Sequence, residues 1–307
     1  MPKIPYIESN LNISLMAIVY DTIKIIEEYE SLKIFPTLRG LYYRMIARDL
    51  FPESWRDKKT RSKNNPLSYK KFGYLISKAR LVGLIDWCSV EDRTRFKIGV
   101  THWKNPDHIL KAVPDSFQLD HWKNQKFHPE VWIEKDALTG VISNTCKQLD
   151  VDHFACKGYV SQSAMWTAAQ RFIRYISSRQ VPLIIHLGDH DPSGIDMTRD
   201  IANRLHIFQA GGCVVHRIAL NIDQVKKYNP PPDPAKFTDP RFKDYIPKYG
   251  HDAWELDALD PVILCRLIKT KVLEYRDKNI YLDVIEQEEK DLDILSSVAE
   301  NWRALLW

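Results

Sequence analysis

The sequence predicts an α/β protein in two parts, and three observations carry that reading. Residues 1–104 offer three stretches with apolar positions at helical spacing, followed by two short strand-like runs. Residues 129–220 alternate short apolar runs with helical stretches, the order that folds into a mostly parallel sheet covered by helices on both faces. Charge divides along the same line. Residues 1–104 hold 19 Lys and Arg against 11 Asp and Glu, and residues 105–307 hold 25 against 29. A chain of 307 residues, 44% hydrophobic with 9 Trp, is globular and long enough for two domains that each bury a core.

Taken in order, residues 11–30 form a first helix that Asn12 or Ser14 can cap. Residues 37–50 form a second, capped by Thr37 after Pro36, and residues 68–84 a third, opened by Ser68. "GLIDWCS" (83–89) and "RTRFKIGV" (93–100) read as two short strands. Three helices and a strand pair are the order of a winged helix-turn-helix, whose third helix usually enters the DNA major groove. Residues 105–128 carry two prolines and no long period, which predicts a linker with short helices.

Beyond the linker, strands are expected at 130–134, 153–156, 181–187 and 212–220, with helices at 136–149, 162–178 and 194–206. Residues 221–261 contain seven prolines and read as an extended surface arm. Within it Glu255, Asp257 and Asp260 read as a capped helix start with a solvated face, outside any site. Helices at 261–276 and 282–304 close the chain. The expected domains are therefore 1–104, a linker at 105–128, and 129–307 with its C-terminal extension.

Composition excludes several classes. No apolar run approaches the roughly 20 residues of a membrane span, and the opening "MPKIPYIESN" lacks a signal-peptide core. Cys88, Cys146, Cys156, Cys213 and Cys265 form no CxxC pair, which argues for reduced thiols and against a structural zinc. A soluble, cytoplasmic protein with no membrane partner is expected.

Residues 56–80 hold nine basic residues and one acidic one, a pattern suited to a phosphate backbone. Lys58, Lys59, Arg61, Lys63, Lys70, Lys71 and Lys78 are the candidate DNA contacts.

The run "IIHLGDHDPSG" (184–194) ends an apolar strand in two carboxylates one residue apart. Such a pair is costly to bury unless something positive sits between them, and a divalent metal is the natural choice. On an extended segment Asp189 and Asp191 project to one side, while His190 points away and is structural. Glu134 ends an earlier strand, so three acids meet at strand carboxyl ends, where open sheets place their sites. An oxygen-only set suits Mg²⁺ or Mn²⁺. An EF-hand loop fits the string poorly, because a strand precedes it and Asp200 stands where Glu belongs. A strand-Asp-x-Asp phosphatase gives no reason for a basic front half.

Three motifs in order resemble one family. Thr37-Leu38-Arg39-Gly40-Leu41-Tyr42-Tyr43, then "WIEKDA" around Glu134, then Lys157-Gly158-Tyr159 ahead of Asp189-His190-Asp191-Pro192-Ser193-Gly194, resemble the A subunit of topoisomerase VI and its meiotic double-strand-break relatives. The resemblance covers roughly residues 30–220. It implies a winged helix carrying a catalytic tyrosine, at Tyr43, followed by a Toprim domain, a Rossmann-like parallel sheet with Glu134, Asp189 and Asp191 on Mg²⁺. It also implies a homodimer that pairs the tyrosine of one subunit with the metal acids of the other, and possible association with a separate ATPase of the B type. Gly40 stands where the family has an acidic residue, and Val160-Ser161-Gln162-Ser163 replaces its usual loop. No ATPase domain is read in the chain, which is closer to stand-alone relatives of prokaryotes and their viruses.

The chemistry expected is metal-assisted transesterification of double-stranded DNA by Tyr43, in a nucleoid-associated protein. Leu38, Leu41, Tyr42 and Met45 define the buried stripe of the second helix, which leaves Tyr43 projecting beside Arg39. Arg39 is expected to lower the phenol's pKa and grip the scissile phosphate. Glu134 is a ligand or a general acid/base, and Lys157 touches a phosphate. Two alternatives stand beside this reading: a Toprim nuclease using metal-activated water, and a non-catalytic DNA-binding module.

Overall fold

The computed structural model describes residues 3–8, 13–90 and 102–302. Its front part is helical, with α1 (Ile13–Ser31), α2 (Leu38–Ala47) and α3 (Pro66–Leu81). Thr37 caps α2 as its sequence predicts, its Oγ1 accepting from Gly40 N at 3.0 Å. The cap of α3 is Asn65, which accepts from Ser68 N at 2.9 Å, so Ser68 lies inside the helix. Its hydroxyl donates instead to Trp55 O. The expected strand at 83–89 is a run of turns in which Ser89 N and Cys88 N both bond back to Asp86. The expected strand at 93–100 lies outside the described residues.

The 105–128 segment is a helix and a docked turn more than a linker. Asn105 caps α4 (Pro106–Ser116), and the fully buried Trp122 donates to Leu149 O at 3.0 Å. Next come β1 (Phe127–Ile133), α5 (Thr139–Gln148), β2 (Asp152–Ala155), α6 (Gln162–Ser177), β3 (Val181–Leu187), α7 (Pro192–Ile207) and β4 (Val214–Ala219). All four strands run parallel in the order β2-β1-β3-β4.

That order decides where a site can form. The chain leaves β1 toward one edge, to β2, and leaves β3 toward the other, to β4. A crevice therefore opens at the carboxyl ends of β1 and β3, the switch point of the sheet. Ile133 pairs with Leu187, which sets Glu134 and Asp189 side by side just beyond the last ladder rung.

Both faces of the sheet are buried, as parallel sheets require. Trp132 and Ile184 face α6 and α7, packing with Met165, Phe172 and Ile201. Val131, Ile133, Leu183, Ile185 and Leu187 face the other way, in one cluster with Ile142 of α5. The apolar side chains of α1 to α3 continue this cluster without a break, through Val19, Leu41, Met45 and Phe72. One shared core thus fixes the front helices against the sheet.

The 221–261 segment is not an extended surface arm. It folds into α8 (Ile222–Tyr228), a two-residue strand β5 (Asp233–Pro234), α9 (Phe242–Tyr249) and its partner β6 (Asp252–Ala253). A 3-10 turn at Leu256–Ala258 leads into α10 (Pro261–Glu274), and α11 (Lys278–Asn301) follows, packed on α4. Among the described residues no helix is long and apolar enough to cross a membrane.

Candidate active site

The loop after β3 is built by its own sequence. Asp191 caps α7, its Oδ1 accepting from Gly194 N at 2.6 Å and from Ser193 Oγ at 2.9 Å, with Pro192 at the first helical position. A Cβ on Gly194 would lie 2.3 Å from Asp189 O, so only glycine lets the helix start this close to the strand end. Arg217 on β4 clasps the turn, donating to Gly188 O, Asp189 O, Leu220 O and Gly194 O between 2.6 and 3.1 Å.

His190 is structural, as expected: it is buried, Nδ1 lies 2.9 Å from Tyr245 Oη, and burial holds its pKa down at about 4. Its backbone also bridges Trp254 in both directions, at 2.8 and 3.0 Å. This bridge fastens the 221–261 segment to the site and places the next residues, Glu255 and Leu256, beside Asp189.

Around Asp189 the acids do not face one shared point. Asp189 Oδ1 accepts from Leu256 N at 2.7 Å and Oδ2 lies 3.3 Å from Lys135 Nζ. Glu134 Oε2 accepts from Asp189 N at 2.8 Å. Asp191 spends an oxygen on its helix cap. Among the described residues no three His, Cys, Asp or Glu side chains form a metal-ligand group. Asp191 keeps extended backbone, and its carboxylate caps α7, which begins at Pro192. The positive charge among the acids is supplied by Lys135 and Arg217.

The acids nevertheless crowd one another. Burial, with Asp191 nearby, raises the Glu134 pKa against the pull of Asp189 N–H, Lys135 and Arg217. Burial and Glu134 raise Asp189 to about 7 despite Lys135. As they stand, Glu134, Asp189 and Asp191 are each engaged by a separate backbone N–H and do not form a ready cation site.

Lys135 is the centre of a larger network that sequence reasoning missed. Its ammonium lies 3.0 Å from Asp257, 3.2 Å from Glu255 and 3.3 Å from Asp189. Burial works against its charge, but these three carboxylates hold its pKa above the ordinary lysine value. Glu255 in turn accepts from the Tyr43 hydroxyl at 2.9 Å and is gripped by Arg39, Nε at 2.9 Å and Nη2 at 3.0 Å. Glu255 and Asp257 are thus part of the site and not a solvated face, Asp257 being 3% exposed. Asp260 alone does what was expected of it, capping α10.

Tyr43 does not project. It is 2% exposed and Tyr42 3%, because α2 is covered on two sides. Tyr42 packs on Phe51 and Tyr69 and its hydroxyl bonds at Lys63 O, whereas Tyr43 reaches Glu255 and, at 3.4 Å, Asp233. Burial, Glu255 and Asp233 push the Tyr43 pKa far up, and Arg39, 5.9 Å from the ring centroid, only moderates this. Arg39 does lower it, as expected, but burial and the two carboxylates outweigh the guanidinium.

A cleft of about 720 Å³ opens beside the network, between α3 and the loop after β1. Arg39, Arg80, Lys135 and Lys157 line it, together with Glu134 and Asp257. Lys157 stands on its lip, exposed and 3.1 Å from Asp136, in a left-handed turn with Gly158. Lys58, Lys59, Arg61, Lys70 and Lys71 are exposed and Lys78 half-buried, none lining this cleft. Lys63 is no surface contact: it is buried, its ammonium 2.7 Å from Asp49 and 2.9 Å from Glu53.

Comparison with family models, with curated proteins and with solved structures finds no match for this chain.

Proposed function

We propose that this protein binds double-stranded DNA and breaks a phosphodiester in the cleft by transesterification from Tyr43. On this reading α1 to α3 act as a winged-helix-like DNA-binding part and the sheet as a Toprim-like one. The single observation that carries it is convergence. Arg39 and Tyr43 on α2, Glu134 and Asp189 at the switch point, and Lys157 come from well-separated stretches of sequence. In one chain Tyr43, Arg39, Lys135 and Asp189 share one network, and Arg39, Glu134, Lys135 and Lys157 line the cleft beside it.

The residues divide the work. Arg39, Lys135 and Lys157 bind and orient phosphate, and the exposed lysines of 58–78 add a sequence-independent hold on the backbone. Glu134, Asp189 and Asp191 do not converge as they stand and would hold Mg²⁺ or Mn²⁺ only after these carboxylates re-orient; the ion would supply charge neutralisation on the phosphate. Tyr43 must give up its hydrogen bond to Glu255 and lose its proton before it attacks. Because Tyr43 and Asp189 meet through Glu255 and Lys135 within one chain, a homodimer serves to place two such centres on opposite strands, and a partner ATPase would act on that dimer.

The burial of Tyr43 favours a second reading, hydrolysis by water at the same acids. One experiment separates them. Plasmid cleavage is quenched in detergent, the DNA digested, and the peptide containing Tyr43 examined by mass spectrometry. A nucleotide on Tyr43, with cleavage lost in Tyr43→Phe, is the expected outcome. Cleaved DNA with protein-free ends and an active Tyr43→Phe variant would assign the chemistry to water, and intact plasmid under all conditions would leave a binding module.

A further inference from the structure

The carboxylate of Glu255 sits in a place built for an anion. Arg39 presents Nε at 2.9 Å to one oxygen and Nη2 at 3.0 Å to the other, a two-pronged grip that fits carboxylate and phosphate alike. Lys135 Nζ at 3.2 Å and the Tyr43 hydroxyl at 2.9 Å complete the surround. The donors come from α2 and the loop after β1, and the acceptor from a segment more than a hundred residues further on.

Two features set this grip apart from an ordinary core ion pair. The first is access: the Arg39 side chain is 46% exposed and that of Glu255 27%, at the edge of the cleft that Arg39, Lys135 and Asp257 line. By contrast, the buried Glu130 side chain on β1 is 2% exposed beneath Arg171. The second is redundancy. Lys135 keeps Asp189 and Asp257 as partners without Glu255, so the charge balance of Lys135 does not require that carboxylate. Arg39, with Asp257 no nearer than 4.0 Å, is the group whose close partner would be exchanged.

We infer that the seat filled by the Glu255 carboxylate is a phosphodiester-binding site, and that Glu255 is its internal occupant, an autoinhibitory group that incoming DNA displaces. The inference deepens the DNA-cleavage reading and rests on it for the identity of the ligand. The exchange needs only rotation of the Glu255 side chain toward the cleft, since Trp254 and Leu256 stay fixed by their backbone bonds to His190 and Asp189. A phosphate in the seat would meet Arg39, Lys135 and the Tyr43 hydroxyl together. Departure of Glu255 would also leave that hydroxyl only its longer bond to Asp233, 3.4 Å, so occupancy by substrate loosens the tyrosine in the same event.

The test compares wild type with Glu255→Ala and the isosteric Glu255→Gln, each checked for folding by circular dichroism. Affinity for a short DNA duplex is measured by fluorescence anisotropy at one fixed salt and Mg²⁺ concentration. Emptying the seat should tighten binding at least about five-fold in Glu255→Ala, with Glu255→Gln between it and wild type. Inorganic phosphate, against chloride at equal ionic strength, should raise the melting temperature of Glu255→Ala more than that of wild type. A folded Glu255→Ala that binds DNA no tighter than wild type overturns the inference, and if that variant does not fold, Glu255→Gln decides alone on the same criterion. Failure of the underlying reading looks different: tighter binding with intact plasmid leaves the anion seat standing and removes cleavage.

Discussion

Two glutamates, four residues apart along β1 and its end, are both buried and have opposite surroundings. Glu130 is matched: Arg171 reaches it with Nε at 2.6 Å and Nη2 at 2.9 Å, and Trp132 Nε1 donates at 3.0 Å. Glu134 receives a backbone N–H from Asp189 and otherwise faces Asp189 and Asp191, with Lys135 and Arg217 turned mainly to other partners. A fully paired buried charge contributes to structure and does nothing further. Carboxylates packed together beyond their local cations form a site that gains from an additional cation, and such sites are where function concentrates.

The largest effect expected from this contrast is on cleavage. Asp189→Asn keeps the size of the side chain and removes a charge from the crowded end, and plasmid nicking should fall by at least about 100-fold. Glu130→Gln removes a charge from the matched end, and its nicking rate per folded molecule should stay within about two-fold of wild type. Equal losses in the two variants would erase the distinction between the two ends of the strand.

Stability should show the reverse order. Arg171→Ala strands a buried carboxylate, a change that costs about 3–5 kcal/mol, read as a lower urea midpoint. Glu134→Gln relieves like-charge crowding and should be neutral or slightly stabilising. A Glu134→Gln chain as destabilised as Arg171→Ala would show that Glu134 is structural.

The sequence made much of this arrangement legible, and the rest was hidden for identifiable reasons. Strand runs and the helices between them follow from period, so Glu134 and Asp189 could be placed at strand ends, and Thr37 read as a cap. Glu255 was missed because its position depends on β5, β6 and the His190–Trp254 bridge, all made by backbone bonds in a proline-rich stretch with no periodicity to reveal them. A lysine flanked by acids in "WIEKDA" and the acids of "WELDALDP" were the available signals, each ambiguous alone. Tyr43 was placed outside because a helical stripe identifies one buried face, whereas α2 is covered by α3 on one side and by the returning 221–261 segment on the other.

The smallest effect concerns pH, and it probes the crowded end without any substrate. Asp189 has its pKa raised to about 7 in the folded chain, first by burial and then by Glu134, against an unfolded value near 4. Between those two values the native state keeps a proton that the unfolded state has released, so unfolding free energy falls as pH rises through that window and levels off above it. From pH 5 to pH 7 the loss attributable to Asp189 is about 2 kcal/mol. Urea unfolding of wild type and Asp189→Asn at both pH values reads it together with the accompanying change at Glu134, the carboxylate that titrates with Asp189. The wild-type slope should be the steeper of the two. Parallel slopes would mean that Lys135 and the Leu256 N–H already satisfy the Asp189 carboxylate, and the crowded end of the sheet would then be as fully paired as Glu130.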